Sequence, residues 1–197
     1  MAQVSFEEKT VIVTGAGNGL GKSYALEFAK RGANVIVNDL GGSVDGSGSG
    51  NSPADDVVDE IKNNGGNAVA NYDSVATKEG GESIVNSALE AFGGLHAVVN
   101  NAGILRDKSF AKMTEEDFDA VLDVHLKGTF FVCQPAFTHM KDNGYGRFVN
   151  VASPSGLFGN FGQSNYGAAK MGIVGLTNII AIAVSYTHLT LPTILLV

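Results

Sequence analysis

The chain has 197 residues, 44% of them hydrophobic and 17% charged, with a formal net charge of −7. That size suits one domain burying roughly two-thirds of its unfolded surface, and the acidic balance argues against a nucleic-acid partner, which needs clustered lysines and arginines. Cys133 is the only cysteine, which excludes an intrachain disulfide and a CxxC metal site; the opening MAQVSFEEK has no signal-type apolar core, so an intracellular, reducing location is expected.

Thr10–Thr14 (TVIVT) reads as a strand and 21–30 as a helix, joined by Thr14-Gly-Ala-Gly-Asn-Gly-Leu-Gly21. Glycines there let the backbone turn sharply and approach a pyrophosphate, while the helix start supplies N–H groups and a positive dipole end. The loop fails GxGxxG at Leu20 and fails the phosphate-loop pattern GxxxxGK[ST] only at Ala16, since Gly21-Lys22-Ser23 is in place. It satisfies TGxxxGxG in full, through Thr14, Gly15, Gly19 and Gly21. A phosphate-loop nucleotide binder is therefore a rival on the loop alone.

The second strand, Asn34–Asn38, is followed by Asp39. A carboxylate there accepts hydrogen bonds from adenosine ribose hydroxyls and repels a 2′-phosphate, favouring NAD over NADP; the competing role is a turn former before Gly41-Gly42. The glycine- and serine-rich run 41–51 reads as a flexible surface loop. Ser52-Pro53-Ala54-Asp55 starts a helix, with Ser52 as N-cap and Pro53 in the first turn. A short third strand, 67–70, precedes Asp73, which is placed either to meet an adenine amino group or to form an Asx turn.

Lys78–Phe92 reads as a helix and Ala97–Asn100 as the fourth strand, running into Asn100-Asn-Ala-Gly103, whose small and amide side chains suit a close backbone approach to a cofactor. Thr114 caps a long helix with carboxylates in its first turn. Phe118, Val121, Leu122, His125 and Leu126 share one face of it, so His125 is expected to be a packed histidine. A fifth strand, 147–151, leads to Ser153 and to the helix carrying Tyr166 and Lys170. Strands alternating with helices imply an α/β fold, a doubly wound parallel (Rossmann) sheet in three layers, with the loops after the strands along one rim.

Tyr166 and Lys170, four residues apart, lie on one helical face. An ammonium beside a phenol favours the phenolate, whose acid starts near about 10, and makes a base able to take a proton from an alcohol. Ser153 is placed to hold the same alcohol oxygen, whereas Ser155 has the wrong spacing and reads as structural. YxxxK alone would be an ordinary helix; its setting gives it meaning.

With TGxxxGxG, the strand-end Asp39, Asn100–Gly103 and Ser153, Tyr166 and Lys170 in that order, the chain resembles the short-chain dehydrogenases/reductases over about residues 5–183. Asn38-Asp-Leu-Gly-Gly42, Asn71-Tyr-Asp-Ser-Val75, Asn100–Asp107, Val124-His-Leu126 and Gly159-Asn-Phe-Gly-Gln163 resemble the (3R)-hydroxyacyl-CoA dehydrogenase units of peroxisomal multifunctional enzymes, and Ser153-Pro154 resembles the fungal members in particular. The resemblance implies an NAD-dependent oxidoreductase of fatty-acid β-oxidation acting on acyl-CoA. Tyr166 is the base, Lys170 assists it and holds the nicotinamide ribose, and Ser153 positions the substrate. It implies cofactor contacts at Thr14, Gly15, Asn18, Gly19, Leu20, Gly21, Asp39, Asp73, Ser74, Val75, Asn101, Ala102 and Gly103, and also at Tyr166 and Lys170. At His125, where many members carry Asn, it implies a backbone carbonyl holding a relay water, so His125 joins the catalytic set through its main chain and not as a proton donor. It further implies a peroxisomal (otherwise cytoplasmic) location and a homodimer. Another short-chain reductase, for an oxoacyl carrier protein or a steroid, is the near alternative.

No Asp, Glu, Lys or Arg follows Lys170. A tail anchor would fit such a run, but Thr177-Asn178, Ser185-Tyr-Thr-His188 and Pro192 interrupt it, so no membrane partner is expected. The last two strands and the substrate-covering segment of the family fold are not recognisable, and Val184-Ser-Tyr-Thr-His-Leu-Thr-Leu-Pro-Thr193 resembles a translated sequencing adapter. The expectation is an incomplete dehydrogenase domain over 1–183 with a non-native tail, 184–197. Such a chain would be a largely inactive fragment of an active parent, with an exposed sheet edge.

Overall fold

In a computed structural model describing residues 4–50 and 52–185, the β-branched runs form one parallel sheet. Strands β1 (Thr10–Thr14), β2 (Asn34–Asn38), β3 (Asn67–Asn71), β4 (Ala97–Asn100) and β5 (Arg147–Asn150) lie in the order β3-β2-β1-β4-β5. Ile12 pairs in register with Ile36 on one side and Val98 on the other. Alternate residues feed opposite cores. Val11, Val13, Val35 and Val37 pack with Ala25 of α1 (Gly19–Lys30) and with Val57 and Ile61 of α2 (Ser52–Asn63). Ile12, Ile36, Val98 and Phe148 pack with Ile84 and Val85 of α3 (Lys78–Phe92), and with Val132 and Met140 of the later helix Gly128–Asp142. Both faces are covered, which is why these strands are apolar throughout instead of alternating.

Helix starts follow their caps. The Thr77 side chain accepts from Gly80 N–H at the start of α3, and Gly93 ends that helix with φ 74°. Thr114 accepts from Asp117 N–H at the start of α4 (Glu115–Leu122), as expected, with three carboxylates in the first turn. The side-chain cap expected of Ser52 lies outside the described residues, as do residues 186–197 of the expected tail.

The structure corrects three expectations. The long helix after Thr114 is interrupted: α4 passes into a wide π turn, Asp123–Lys127, before α5 (Gly128–Asp142). Such insertions mark functional sites, and this one carries His125. A short helix, α6 (Pro154–Phe158), separates β5 from α7 (Ser164–Ser185), with Ser153 as N-cap and Pro154 in the first turn; Ser153-Pro154 thus repeats the helix start read at Ser52-Pro53. The run 41–50 is folded: Asp45 Oδ1 accepts from Ser43 Oγ, Ser47 N and Ser47 Oγ, and Leu105 N–H donates to the Val44 carbonyl at 2.9 Å. An Asx turn organises a segment whose glycine content alone suggests freedom.

Helix α7 is apolar enough over Ser164–Ala183, at mean hydropathy 1.4, to span a membrane by length and composition. Two of its polar groups are engaged by the sheet: Lys170 donates to the Val151 carbonyl and Thr177 Oγ1 accepts from Asn150.

Ile36 is fully buried between Ile12 and Val69 on the α3–α5 face. Ile36→Ala should lower the unfolding free energy by about 2–5 kcal/mol in urea titrations; a loss below about 1 kcal/mol would show that this core is not packed as described.

Candidate active site

The chain leaves β1 towards β2 and β3, then returns across the sheet to β4 and β5, so the loops after β1 and β4 diverge. Open α/β sheets bind ligands at such a reversal. A cleft of about 570 Å³ opens there, within the range of small-molecule sites. Its walls come from the loop after β1, from Asp39 through Gly46, from Ser74–Ala76 and from Asn101–Ile104 with Arg106. The loop after β1 is built for close approach. Gly15 has φ 62°, and a Cβ on it would stand 2.8 Å from Ala102 Cα. A Cβ on Gly21 would fall 2.0 Å from the Gly15 carbonyl oxygen. The first N–H groups of α1 face a cleft with no carboxylate in the helix's first turn to compete for them.

Asp39 takes the turn-forming role and also borders the cleft. Its Oδ1 accepts from Gly41 N–H and its Oδ2 from Gly17 N–H, each at 2.7 Å, while the residue lines the cleft. The carboxylate therefore shapes the glycine loop and remains beside the space a ligand would fill. On the far wall, Asn101 Nδ2 donates to the Thr14 and Gly15 carbonyls, both at 3.1 Å, and Thr14 Oγ1 accepts from Asn101 N–H and Ala102 N–H. These contacts rivet the loops after β1 and β4 together.

Next to this cleft, Lys170 is only 3% exposed. Its Nζ donates to the Val151 carbonyl at 2.6 Å and sits 5.5 Å from the Tyr166 ring centroid. Burial pushes the Lys170 ammonium down to about 8. Tyr166 packs edge-on against His125, centroids 5.1 Å apart. His125 Nε2 lies 3.1 Å from Ile104 N and 2.9 Å from Ile104 O, and its ring lies under Gly103, where a Cβ would stand 2.2 Å from His125 Cε1. Burial first, then the Lys170 charge, lower His125 to about 4, so the ring is neutral at physiological pH. Its carbonyl accepts from Thr129 Oγ1 at 2.7 Å, and its Nδ1 is buried with no partner among the described residues. Ser153 Oγ accepts from Ser155 N–H at 3.2 Å, which caps α6 and leaves the hydroxyl proton to donate elsewhere.

A family model for short chain dehydrogenases matches residues 9–195. The chain belongs to the short-chain dehydrogenase family. It is 58% identical over 177 residues to the peroxisomal multifunctional enzyme type 2 of Mus musculus, covering 90% of this chain and 24% of that one. It is 41% identical over 181 residues to a hydroxyacyl-CoA dehydrogenase of Mycobacterium tuberculosis, covering 86% of this chain and 54% of that one. A crystal structure of a short chain dehydrogenase from Mycobacterium avium superposes with a TM-score of 0.87 at 45% identity, over 95% of this chain and 66% of that one. The chain thus spans two-thirds or less of the length of these relatives.

Of the cofactor contacts that the family pattern implies, Gly15, Asn18, Gly19, Asp39, Ser74, Val75, Asn101, Ala102 and Gly103 line the cleft. Four do not. Thr14 is 1% exposed beneath the loop it rivets, Gly21 is packed against Gly15, and the Leu20 side chain projects into solvent. The Asp73 carboxylate accepts from Asn71 Nδ2 at 2.9 Å and from Ser83 Oγ at 2.7 Å, so it ties β3 to α3. Ser153, Tyr166, Lys170 and His125 also stand outside the cleft lining, and His125, packed against Tyr166, meets it at Gly103 and Ile104.

The phosphate-loop rival fails on geometry. Lys22 Nζ pairs with Glu60 at 2.8 Å on α2 and does not line the cleft. Reading from motifs missed Arg106, the only cation among the cleft-lining residues, whose Nε donates to the Asp45 carbonyl at 2.8 Å. It also missed Asn165, whose position beside Tyr166 at a helix start was the available signal.

Gly21→Ala should lower dinucleotide affinity at least tenfold in calorimetric titrations, because its methyl group would occupy the Gly15 carbonyl position, whereas Lys22→Ala should leave affinity within twofold. His125 has a folded-state pKa below its unfolded value, so protonation favours the unfolded chain as pH falls. Stability should therefore decline between about pH 6.5 and 4, by about 3 kcal/mol in all, and should stop declining from this source below pH 4. His125→Asn should flatten that part of the unfolding free-energy profile; an unchanged slope would assign it to other groups.

Proposed function

We propose that the protein oxidises (3R)-3-hydroxyacyl-CoA with NAD, as the dehydrogenase of a fatty-acid β-oxidation enzyme. The observation that carries this reading is the buried Lys170 ammonium beside the Tyr166 ring, on one helical face and tied to the strand end by the Val151 carbonyl. A cation kept out of water next to a phenol favours the charge that develops when the phenol acts as a base.

In this reading the Ser153 hydroxyl donates to the substrate oxygen, Tyr166 accepts the substrate proton, and the Lys170 charge offsets the phenolate. His125 stays neutral, supporting the Tyr166 ring edge-on and anchoring Ile104 beside the cleft. NAD, when bound, supplies the hydride acceptor. The residues fit it: the cradle at Gly15 and Gly21 has no room for a side chain, the α1 N–H groups suit a pyrophosphate, and Asp39 suits ribose hydroxyls and disfavours a 2′-phosphate. The acyl-CoA class rests on the relatives named for hydroxyacyl-CoA and multifunctional chemistry. A peroxisomal location rests on the relatives named as peroxisomal enzymes, the mouse one among them. A homodimer is supported by the exposed Met171, Ile179 and Ile182 on α7.

The protein, expressed from its complete coding sequence, should reduce NAD on addition of a (3R)-hydroxyacyl-CoA and not of its (3S) epimer. Tyr166→Phe should lower kcat by about 10³-fold or more, since general-base catalysis contributes roughly 10²–10⁴, with NAD affinity little changed. Equal turnover of wild type and Tyr166→Phe would refute the assignment of Tyr166.

A further inference from the structure

A helix start leaves its first N–H groups without partners inside the helix. At the start of α7 one of these belongs to Tyr166, and it donates to Asn165 Oδ1 at 2.7 Å. The rest of the Asn165 side chain is equally engaged. Its Nδ2 donates to the Arg106 carbonyl and to the Asp117 carbonyl, both at 3.0 Å. Asn165 is fully buried, at 0% exposure. An amide carries two donors and an acceptor on one rigid plane, and here each has a backbone partner on a different element: the segment after β4, the first turn of α4 and α7 itself. Aspartate would set an oxygen against two carbonyls, and leucine would leave all three backbone groups unmatched.

The segment after β4 meets Tyr166 twice. Asn165 joins the Tyr166 backbone to Arg106, and His125 joins the Tyr166 ring to Ile104, two residues earlier. The neighbouring residues add a second tie between the same stretches, with Lys108 N–H donating to the Gly162 carbonyl and Gln163 Nε2 to Asp107 Oδ2, both at 2.9 Å. Main chain and ring are thereby referenced to one piece of backbone, and that piece also lines the dinucleotide cleft.

We propose that Asn165 is a positioning residue for the proton transfer: it sets the height and orientation of Tyr166 relative to the cleft by clamping the start of α7 to Arg106 and Asp117. The proposal rests on the reading of Tyr166 as the base. A displacement of order 1 Å in a reacting group can cost about 10²-fold in rate, so the clamp should appear in the chemical step and not in ligand binding.

The test uses the protein from its complete coding sequence, with NAD and a (3R)-hydroxyacyl-CoA carrying hydrogen or deuterium at C3. Asn165→Ala should lower kcat by about 100-fold, leave the KM values for both ligands within threefold, and raise the deuterium isotope effect on kcat towards its full value, because hydride and proton transfer become limiting. Asn165→Asp, which keeps the acceptor for Tyr166 N–H and loses the two donors, should lose as much. A folded Asn165→Ala with kcat within threefold of wild type, or with an unchanged isotope effect, overturns the proposal. Should Asn165→Ala not fold, the smaller polar change Asn165→Ser carries the same readout; failure of both to fold would make Asn165 a requirement of the fold and overturn a specific role in positioning Tyr166. An unaltered protein that turns over no hydroxyacyl-CoA sinks the reading of the preceding section, whereas turnover that Asn165→Ala leaves intact sinks this inference alone.

Discussion

The ammonium of Lys170 is nearly removed from water, and among the described residues no carboxylate pairs with it. Burying a lone charge costs several kcal/mol unless its donors are met, so the surroundings of this group are constrained more tightly than those of any apolar side chain. The Val151 carbonyl meets one donor at 2.6 Å, which requires β5 to end where it does and α7 to pass alongside. The remaining positive field falls on the Tyr166 ring and on His125, which it helps keep neutral. A charged imidazole beside that ammonium would be repelled, so the packing of His125 against Tyr166 depends on the same charge. The arrangement follows from making one buried cation tolerable.

The rim of the sheet is held by amides in the same spirit. Backbone ladders end where loops diverge, and four of the five strands end in Asn: Asn38, Asn71, Asn100 and Asn150. Asn38 Nδ2 donates to Asn71 Oδ1 and Asn100 Nδ2 to Asn150 Oδ1, each at 2.8 Å. Asn150 Nδ2 continues to Thr177 Oγ1 at 3.0 Å, reaching α7 on the same face as Lys170 and about two turns further on. Between β1 and β4, where the cleft opens, Thr14 Oγ1 replaces the amide. Each link is a buried polar pair with its partner present, which rigidifies a site where an unpartnered group would be costly. Cys133 is drawn into this network as a neutral thiol, pushed up to about 12 by burial and accepting from Asn100.

Most of the framework was legible because it rests on local rules. TVIVT and NVIVN could be nothing but doubly covered strands, and Thr114 with three acidic residues behind it marked a helix start. What escaped depends on tertiary partners. The π turn at Asp123–Lys127 has no signature in a sequence that reads as continuous helix; it accompanies the seating of His125 under Gly103. The run 41–50 looked free because five glycines dominate it, yet Asp45 and two serines organise it and Arg106, about sixty residues later, holds it. Asp39 and Thr14 were singled out by the family pattern, but their hydrogen bonds to the protein's own backbone follow from strand order, which no local pattern contains. Asp73 stood in the right place in the chain, with its carboxylate turned to Ser83 instead of the cleft.

The segment following β4 then acquires a larger part than turn chemistry. Asn101 grips the glycine loop, Gly103 and Ile104 receive the His125 ring, and Arg106 reaches the 41–50 loop with its side chain and Asn165 with its carbonyl. Like the α4–π-turn segment that carries Asp117, Val124 and His125, it borders the cleft and supports Tyr166. In the proposed reaction a hydride acceptor and a proton acceptor face one carbon from fixed directions, and a shared wall limits the drift of one against the other. An extended stretch tied to the glycine loop, His125, Asp45 and Asn165 gives both a common reference. The small residues of NNAG are therefore needed less for flexibility than for thinness: they allow one layer of backbone to be the common wall of two sites.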